Sequence, residues 1–368
     1  MFFRHLLVIF AGMRRILLLI SLALAAACGS DTAITTVTVY APSPERDYYG
    51  NNAVLTHFKG RFYCMWQSSA KDEDAPDTRL VYSRSRDGRH WSAPETLVPC
   101  TDSTFASSGG WTVCGDTLVA FVNIISEIQT GGTAHWLVSA DGRHWSVPSP
   151  VCMADGQPME GILEQDPHLI AGSGPEAGQR LVGAAHFRPG LKARPIWTDD
   201  LSGRSGWHAG RIDMEDRGTQ SRGIEPSLYQ RPDNALVMLF RDQASTFRKL
   251  ASVSTDRGET WTKPELTELT DGRSKQCAGN LPDGRIYVIG NPIPAKDRTT
   301  LAIQWSDDGR TFSAPIPLRT PQDLPPQRCE GKYKTPGYSY PKAFCHGKHL
   351  YVSYSENKER IVVTRIKI

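Results

Sequence analysis

The sequence predicts an all-β protein, and three observations support this fold class. The chain of 368 residues contains 32 Gly and 25 Pro and is 39% hydrophobic, which favours short strands joined by tight turns. Helical periodicity is nearly absent after residue 30. A short turn motif also recurs along the chain at a nearly constant interval. The repeat then specifies the architecture.

The repeated turn begins as "SRDGRHWSAP" from Ser85 and returns almost unchanged as "SADGRHWSVP" from Ser139. Two more copies are "STDRGETWTKP" from Ser254 and "SDDGRTFSAP" from Ser306, and "TDDLSGRSGW" from Thr198 is a degraded one. The aspartates of successive copies lie 54, 59, 56 and 52 residues apart. A repeat of this length, with short strands between turns, predicts a single β-propeller of four-stranded blades.

Each blade is predicted to contain strands A, B and C, the repeated turn, and an outer strand D. We count six blades, and a seventh remains open if residues 29–60 contain one more. The last blade ends without an outer strand. We expect "TAITTVTVY", close to the N-terminus, to supply that strand and close the ring, which removes exposed edges.

Residues 1–28 are predicted to be an export signal, and residues 29–368 the propeller and catalytic domain. From Met13 the chain has two arginines, a short apolar run and small residues before Cys28. "LAAAC" resembles a bacterial lipoprotein cleavage box, although Ala25 stands where Leu is commonest. Lipidation of Cys28 and plain secretion both stay open. The expected location is the periplasm or surface of a Gram-negative bacterium, with the membrane reached only through the lipid.

Charge and cysteine spacing exclude several partners. The formal charge of +3 comes from 42 basic and 39 acidic side chains, with no basic stripe, so we expect no nucleic acid. The seven cysteines after Cys28 lack the spacing of metal ligands, so we expect neither a metal nor a cofactor. Their odd number leaves at least one thiol outside intramolecular disulfides. We expect a monomer.

Propeller topology sorts side chains by face. We call top face the rim with the loops that enter strand A and join strand B to strand C; the bottom face has the A-to-B turns and the repeated turns. Candidates on the top face, taken blade by blade, are Asn51, Asn52, Gln67, Asp72, Asp74, His168, His186, Glu225, Arg241, Arg248, Lys275, Asn291, Arg298, Tyr338 and Tyr340.

Four of these side chains suggest chemistry on an acidic sugar. Arg248 and Arg298 are predicted to bind a substrate carboxylate through fork-like hydrogen bonds, although arginines at such positions also form structural ion pairs. Glu225 beside Tyr340 predicts an activated phenol. For Tyr340 the structural alternative is a ring packed on the following proline.

Two histidines and two further residues complete the predicted top site. His168 and His186 are predicted to transfer protons near neutral pH, whereas a histidine at a strand end is more often simply hydrogen-bonded. Asn291 and Tyr338 are expected to contact the substrate. Arg241 and Lys275 are predicted to be charged rim residues.

The repeated turn resembles the Asp-box, or BNR repeat, of the sialidase-like propellers. The resemblance implies that the boxes are structural, and it matches Glu225, Arg248, Arg298 and Tyr340 to the carboxylate, two arginines and tyrosine of sialidases. The third sialidase arginine is missing, because "YYGNNAVLTHF" occupies its place. This departure argues against sialic acid as the substrate.

The resemblance to sialidases also matches their catalytic acid residue to Asp72 or Asp74, both in "SAKDEDAPDTRLVYSRSRDG".

A second resemblance is closer. "RFYCMWQSSAKDEDAPDTRLVYSRSRDGRHWS", "GNLPDGRIYVIGNP" and "GYSYPKAFCHGKHLYVSYSENKERI" are similar to the α-L-rhamnosidases of Bacteroidetes and to ulvan and rhamnose-glucuronate lyases. The lyases imply two top-face histidines followed by arginines, an order that His168, His186, Arg248 and Arg298 follow. The rhamnosidases imply an active site on the bottom face with one histidine of the first blade, which His57 matches.

The resemblance therefore implies an enzyme that cleaves a terminal L-rhamnose–D-glucuronate linkage of a polysaccharide, foremost as an α-L-rhamnosidase. Three alternatives stay open: a polysaccharide lyase acting by β-elimination at a uronate, an exo-α-sialidase, and a glycan-binding propeller without catalysis. Fold alone does not decide among them.

Overall fold

The computed structural model describes residues 34–127, 131–170, 178–188, 192–213 and 223–368. Within these ranges six four-stranded blades form a ring, so the fold is the predicted six-bladed β-propeller. The predicted export signal and Cys28 lie outside the described residues. No helix in the described ranges has the length and apolar character needed to cross a membrane.

The strands are given in chain order, with each blade running from the hub outward. The described part of the chain begins with β1 (Ile34–Tyr40), and blade 1 contains β2 (Tyr49–Phe58), β3 (Arg61–Ser69), β4 (Arg79–Ser85) and β5 (Glu95–Val98). Blade 2 contains β6 (Phe105–Cys114), β7 (Thr117–Glu127), β8 (Gly131–Ser139) and β9 (Ser149–Pro150). Blade 3 contains β10 (Gly161–Leu163), β11 (His168–Ile170), β12 (Arg180–Phe187), β13 (Lys192–Thr198) and β14 (His208–Ala209).

The remaining blades follow the same plan. A short strand β15 (Arg211–Ile212) pairs in parallel with β19 (Thr260–Trp261). Blade 4 contains β16 (Gly223–Gln230), β17 (Leu236–Asp242), β18 (Arg248–Ser254) and β20 (Glu265–Thr270). Blade 5 contains β21 (Cys277–Asn280), β22 (Ile286–Gly290), β23 (Leu301–Ser306) and β24 (Ile316–Arg319), followed by a 3-10 turn at Pro321–Asp323. Blade 6 contains β25 (Tyr338–His346), β26 (His349–Glu356) and β27 (Arg360–Lys367).

The N-terminal strand closes the ring as predicted. Strand β1 pairs antiparallel with β27, with Ile34 opposite Ile366, and becomes the outer strand of blade 6. The region that could have held a seventh blade supplies this strand and the innermost strand of blade 1. The edge of the last blade is thereby covered by strand β1.

The Asp-box turns fold as the sequence predicts. In the second box, Ser139 Oγ accepts the amide of Gly142 at 2.8 Å, and Asp141 Oδ1 accepts the amides of Arg143 and His144 at 2.8 and 2.9 Å. Gly142 has φ of +68°, and a Cβ there would overlap the phenol of Tyr63 in blade 1. A glycine is therefore required both for the turn and for the contact between blades.

Hydrophobic side chains fill the spaces between adjacent blades. Tyr63 and Tyr82 of blade 1 pack with Trp111 of blade 2 in one such cluster. In another, Tyr338 and Tyr354 of blade 6 pack with Leu301 of blade 5. Because these layers hold the blades together, the polar side chains of the innermost strands are left to line the hub.

Three innermost strands carry the same irregularity close to the top face. The strand pairing shifts register at Asn52 in blade 1, at Glu225 in blade 4 and at Tyr340 in blade 6. All three residues have positive φ, at 54°, 52° and 58° respectively. These are β-bulges, which are over-represented next to active sites, and positive φ strains a non-glycine residue.

Candidate active site

The bulges of blades 4 and 6 bring a tyrosine and a glutamate into contact at the top of the hub. Tyr340 Oη donates a hydrogen bond to Glu225 Oε1 at 2.7 Å. Pro226 and Pro341 follow the two residues, and proline suits a bulge because it has no amide hydrogen to pair. The structure therefore places Glu225 beside Tyr340, as the sequence predicted.

The charges around this pair fix its protonation. Burial raises the pKa of Glu225, but Arg241 and Lys275 outweigh this effect and hold it at about 2. Arg241 Nη1 donates to Glu225 Oε2 at 2.9 Å. Burial raises the pKa of Tyr340 well above its usual range, and Glu225 adds to this effect. At neutral pH the glutamate is ionised and the phenol keeps its proton.

A second buried carboxylate lies behind the pair. Glu164 Oε1 is 2.9 Å from His186 Nδ1, and Lys275 Nζ donates to Glu164 Oε2 at 2.6 Å. The ammonium group of Lys275 also lies 5.1 Å from the centre of the Tyr340 ring. The backbone amide of Glu225 donates to His186 Nε2 at 3.0 Å. His186 therefore belongs to the top site but is buried beneath its surface.

A loop of blade 1 contributes further acidic side chains to the top site. Glu73 pairs with Lys358, whose ammonium lies 5.5 Å from the centre of the Tyr340 ring. The neighbouring Asp74 is half-buried, and burial, with a further effect of Glu73, raises its pKa to about 6. Asp74 is thus protonated in mildly acidic solution, as a general acid requires.

Arg298 is a cation at this site that is available to bind an anion. Its Nη2 donates to the backbone oxygen of Arg273 at 3.1 Å, and its Nη1 to Ser339 Oγ at 3.4 Å. Within the described residues it has no carboxylate partner, in contrast to Arg241, Lys275 and Lys358. The positive charge of Arg298 lowers the pKa of Tyr340 and so partly offsets the increase that burial causes. Arg298 therefore lies close to the phenol.

Three predicted substrate-binding residues do not face the hub. Arg248 pairs with the exposed Glu268 at 2.5 Å, because strand alternation turns the next residue, Lys249, inward instead. Asn291 uses its amide to donate to three backbone oxygens of blades 5 and 6. Tyr338 is fully buried between these blades, and its hydroxyl donates to the Thr320 oxygen at 2.9 Å.

The prediction that His168 and His186 share one rim is wrong. The innermost strand of blade 3 is split, so Ile162 pairs with His186 whereas His168 pairs with Val182. Val182 and His186 are four positions apart along an extended strand, a distance of about 13 Å. His168 therefore lies toward the bottom face, and a two-histidine site on the top face is not formed.

His168 instead lines a cavity with His57. This cavity has a volume of about 460 Å³ and includes Asp166 and Lys342 in its wall. His57 stacks on His346 with 3.8 Å between the ring centres. It lies next to an A-to-B turn, so the predicted bottom-face position of His57 agrees with the structure. We call this the bottom cavity.

Ionisable groups in the bottom cavity have perturbed pKa values. Burial, with a further effect of Lys342, lowers the pKa of His168 to about 4. Burial also lowers the pKa of His57, and His346 adds to this effect. Burial raises the pKa of Asp166 and lowers that of Lys342, and each of the two partly offsets the shift of the other. Both imidazoles are therefore neutral at neutral pH.

Sequence reasoning missed several hub residues. Arg241 and Lys275 were expected at the rim but bind the two buried carboxylates. Glu164 and Asp166 stand in "LEQDPH", where the acidic residues beside a proline could have indicated a broken strand. Lys342 and Lys358 gave no signal, because the acidic residues that offset their burial, Asp166 for Lys342 and Glu73 for Lys358, are far away in the sequence.

All seven cysteines from Cys64 onward are free thiols. The part of the chain that the structure describes contains no group of three His, Cys, Asp or Glu side chains arranged to hold a metal ion. The described chemistry of both ends of the hub is that of carboxylates, imidazoles, cations, phenols and thiols.

The chain has a ring of six blades, Asp-box turns and a polar hub. These features define the class of Asp-box β-propellers. A family model described as a BNR repeat-like domain matches residues 60–352, and the chain belongs to this family. No curated protein sequence matches the chain closely enough to count as a relative.

Solved structures share the fold at low sequence identity. A protein of unknown function from Dyadobacter fermentans is similar with a TM-score of 0.69 and 16% identity, over 91% of this chain and 99% of that one. The intramolecular trans-sialidase of Ruminococcus gnavus gives a TM-score of 0.64 and 14% identity, over 90% of this chain and 97% of that one. The Trypanosoma rangeli sialidase in complex with sialic acid gives 0.59 and 14%, over 90% of this chain and 57% of that one.

Proposed function

We propose that this protein is a glycoside hydrolase that releases a terminal acidic sugar at the top face. The observation that carries the proposal is the 2.7 Å hydrogen bond from Tyr340 to Glu225. Most glycosidases use two carboxylates, whereas sialidases use a tyrosine nucleophile. A sialidase in complex with sialic acid is among the structures that share the fold, and its substrate class supports an acidic sugar here.

The first step forms a covalent glycosyl-enzyme. Tyr340 Oη attacks the anomeric carbon while Glu225 accepts the phenolic proton. The bond from the anomeric carbon to the leaving oxygen breaks, and Asp74 gives its proton to that oxygen. The pKa of about 6 at Asp74 suits this role, because a general acid must carry its proton at the working pH.

The second step returns the enzyme to its initial state. A water molecule attacks the anomeric carbon and gives a proton to Asp74, which now acts as a base. The glycosyl–tyrosine bond breaks, and Tyr340 recovers its proton from Glu225. The leaving group departs from the side of the sugar on which the water later attacks. The product therefore retains the anomeric configuration.

The charge distribution supports an anionic substrate. Arg298 has no carboxylate partner within the described residues and lies close to Tyr340. A guanidinium group binds a carboxylate through two parallel hydrogen bonds. Asn51 and Asn52 stand where the resemblance to sialidases requires another arginine. We therefore infer an acidic sugar that needs fewer arginines than sialic acid, such as a uronic acid.

The test is turnover of aryl glycosides of glucuronic acid, sialic acid and rhamnose, combined with trapping by a 2-fluoro sugar of the best substrate. We expect hydrolysis of an acidic glycoside and a mass increase on the peptide that contains Tyr340. Binding of acidic glycans without any turnover contradicts the proposal and supports a glycan-binding propeller.

A second candidate function is the hydrolysis of a terminal rhamnose–glucuronate linkage in the bottom cavity. The specific observation that favours it is the placement of His57, His168 and Asp166 around one space of about 460 Å³, a size suited to a small sugar. A neutral imidazole can deprotonate water, and the amino group of Lys342 can donate hydrogen bonds to a uronate carboxylate. Elimination on the top face is less favoured, because His168 is not there.

Free rhamnose released from a rhamnose–glucuronate oligosaccharide tests the second candidate. His57→Ala is expected to abolish release, and His349→Ala, a histidine outside the cavity wall, serves as the matched control. An ultraviolet-absorbing unsaturated uronate indicates elimination instead. Full release by His57→Ala contradicts a role for the bottom cavity.

We also propose that the chain is exported and anchored by a lipid on Cys28. The support is the apolar segment and the small residues before Cys28. Labelling of growing cells with a fatty-acid analogue tests this. The label should appear on the wild-type protein and disappear in Cys28→Ala, and an unlabelled, freely secreted wild-type protein contradicts the anchor.

A further inference from the structure

We propose that His186 and Glu164 are positioning residues that hold the backbone of Glu225 in its bulge. The kinetic consequence of this proposal rests on the proposed function, whereas the conformational consequence does not. His186 and Glu164 are only 3% and 7% exposed. They act on Glu225 through hydrogen bonds and do not reach the substrate.

The hydrogen bonds define the state of His186. The amide of Glu225 donates to Nε2 at 3.0 Å, so Nε2 carries no proton. The ring proton is then on Nδ1, which lies 2.9 Å from Glu164 Oε1 and donates to it. His186 is therefore a neutral imidazole whose tautomer is fixed by a carboxylate. Because the chain of bonds ends at an amide, it orients Glu225 and transfers no proton.

The bulge explains why this amide needs a partner. The pairing of β16 with β17 runs from Ile224 directly to Ser227, so the amide of Glu225 has no place in the strand ladder. A buried amide without an acceptor is strongly unfavourable. Glu225 also has φ of +52°, a conformation that other residues must enforce. His186 supplies both the acceptor and the constraint.

Glu164 connects both members of the nucleophile pair. Its Oε1 holds the imidazole that positions Glu225, and its Oε2 holds Lys275 at 2.6 Å. Lys275 in turn lies 5.1 Å from the centre of the Tyr340 ring. Lys342 donates to the backbone oxygen of Glu164 and fixes it in place. One carboxylate thus orients the groups behind both Glu225 and Tyr340.

The experiment compares His186→Ala, His186→Gln and Glu164→Gln with Ser353→Ala. Ser353 is the matched control, since its buried hydroxyl also donates to a backbone oxygen of a neighbouring blade, that of Ala53, at 2.8 Å. The first readout is hydrogen exchange of segment 223–230 in the protein without substrate. The second is kcat and KM on the acidic glycoside that the wild type hydrolyses best.

His186→Ala should raise the exchange rate at Glu225 by at least about tenfold, because a buried hydrogen bond is lost. It should lower kcat by about 10 to 100-fold with KM nearly unchanged. The amide oxygen of His186→Gln can accept the Glu225 amide, so this variant should recover most of both losses. Glu164→Gln should show a smaller effect in the same direction, and Ser353→Ala should show none in this segment.

Equal exchange at Glu225 in the wild type, His186→Ala and Glu164→Gln overturns the proposal. Equal losses in His186→Ala and His186→Gln also overturn it. If His186→Ala does not fold, Glu164→Gln and His186→Gln still decide the matter. If the wild type hydrolyses no acidic glycoside, the proposed function fails, while the exchange rates still test the positioning of Glu225.

Discussion

The phenolic oxygen of Tyr340 lies 2.7 Å from Oε1 of Glu225, although the two residues are 115 positions apart in the chain. Each stands at the bulge of an innermost strand with positive φ, and each precedes a proline. Blades 4 and 6 direct these two bulges toward the axis of the ring. The contact between these two residues is therefore a product of blade geometry, and the chemistry proposed for it leads to specific predictions.

Replacing Tyr340 by Phe should abolish turnover of an acidic glycoside and leave the fold intact. The variant removes only the oxygen that attacks the anomeric carbon, so kcat/KM should fall by about 10³-fold or more. Tyr338→Phe is the matched control, because its hydroxyl bonds to a backbone oxygen away from the hub. Steady-state kinetics and thermal unfolding measure both effects. Comparable activity in the two variants contradicts a nucleophilic Tyr340.

Asp74→Asn should remove the fall in activity at high pH. A general acid works only when protonated, and the pKa of Asp74 is raised to about 6. Activity of the wild type should therefore decrease as the pH rises above that value, about tenfold per pH unit. Profiles of kcat/KM against pH, with good and poor leaving groups, measure this.

The same series has an internal control. Asp77→Asn alters a half-buried carboxylate whose Oδ2 accepts the amide of Ala70 at 2.8 Å, and it should keep the wild-type profile. Asp74→Asn should lose about 10² to 10⁴-fold with a poor leaving group and much less with a good one. An unchanged loss at high pH in Asp74→Asn assigns the general acid to another residue.

The ring could be predicted from the sequence because the Asp-box is a local motif that is repeated along the chain. Each Asp-box needs only a few consecutive residues to form, so Asp87, Asp141 and Asp308 reveal the period without any tertiary information. Closure by the N-terminal strand followed from the missing outer strand of blade 6. The contact of Glu225 with Tyr340 followed from topology together with the resemblance.

The wrong positions predicted for Arg248 and His168 also have local causes. Side chains alternate along a strand, so a shift of one residue exchanges inward and outward positions. Arg248 was predicted to face the hub, but it pairs with the exposed Glu268, and the next residue, Lys249, is the buried one, 3.0 Å from Asp271. His168 was misplaced because the break after Leu163 in the innermost strand of blade 3 carries it toward the bottom face. Neither feature leaves a periodic signal in the sequence.

Arg298→Met should weaken binding of an acidic substrate, and Arg248→Met should not. Loss of the guanidinium that binds the carboxylate should raise KM by about 10 to 100-fold. Arg248 pairs with the exposed Glu268, so its replacement should change KM less than about twofold. Kinetics on acidic and neutral glycosides with the same leaving group separate the two effects. An equal rise of KM on the neutral glycoside contradicts carboxylate binding by Arg298.

Asp141→Ala should destabilise the propeller and flatten its dependence on pH. The amides of His144 and Arg143 and the ring of His144 hold the pKa of Asp141 well below its usual range. A carboxyl group whose pKa is lower in the folded state stabilises the fold above its ordinary pKa of 3.8 and loses this contribution as the pH falls through the folded value. Thermal midpoints between pH 7 and pH 3 should therefore fall less steeply for Asp141→Ala than for the wild type. Asp141→Asn keeps an oxygen for the two amides but cannot ionise, so its midpoint at pH 7 should lie between those of the wild type and Asp141→Ala, whereas its fall with pH should be as shallow as that of Asp141→Ala. Asp116→Ala, which alters a carboxylate that is 97% exposed, should follow the wild type. Parallel curves for the wild type and Asp141→Ala would show that the box aspartate is not the source of this acid sensitivity.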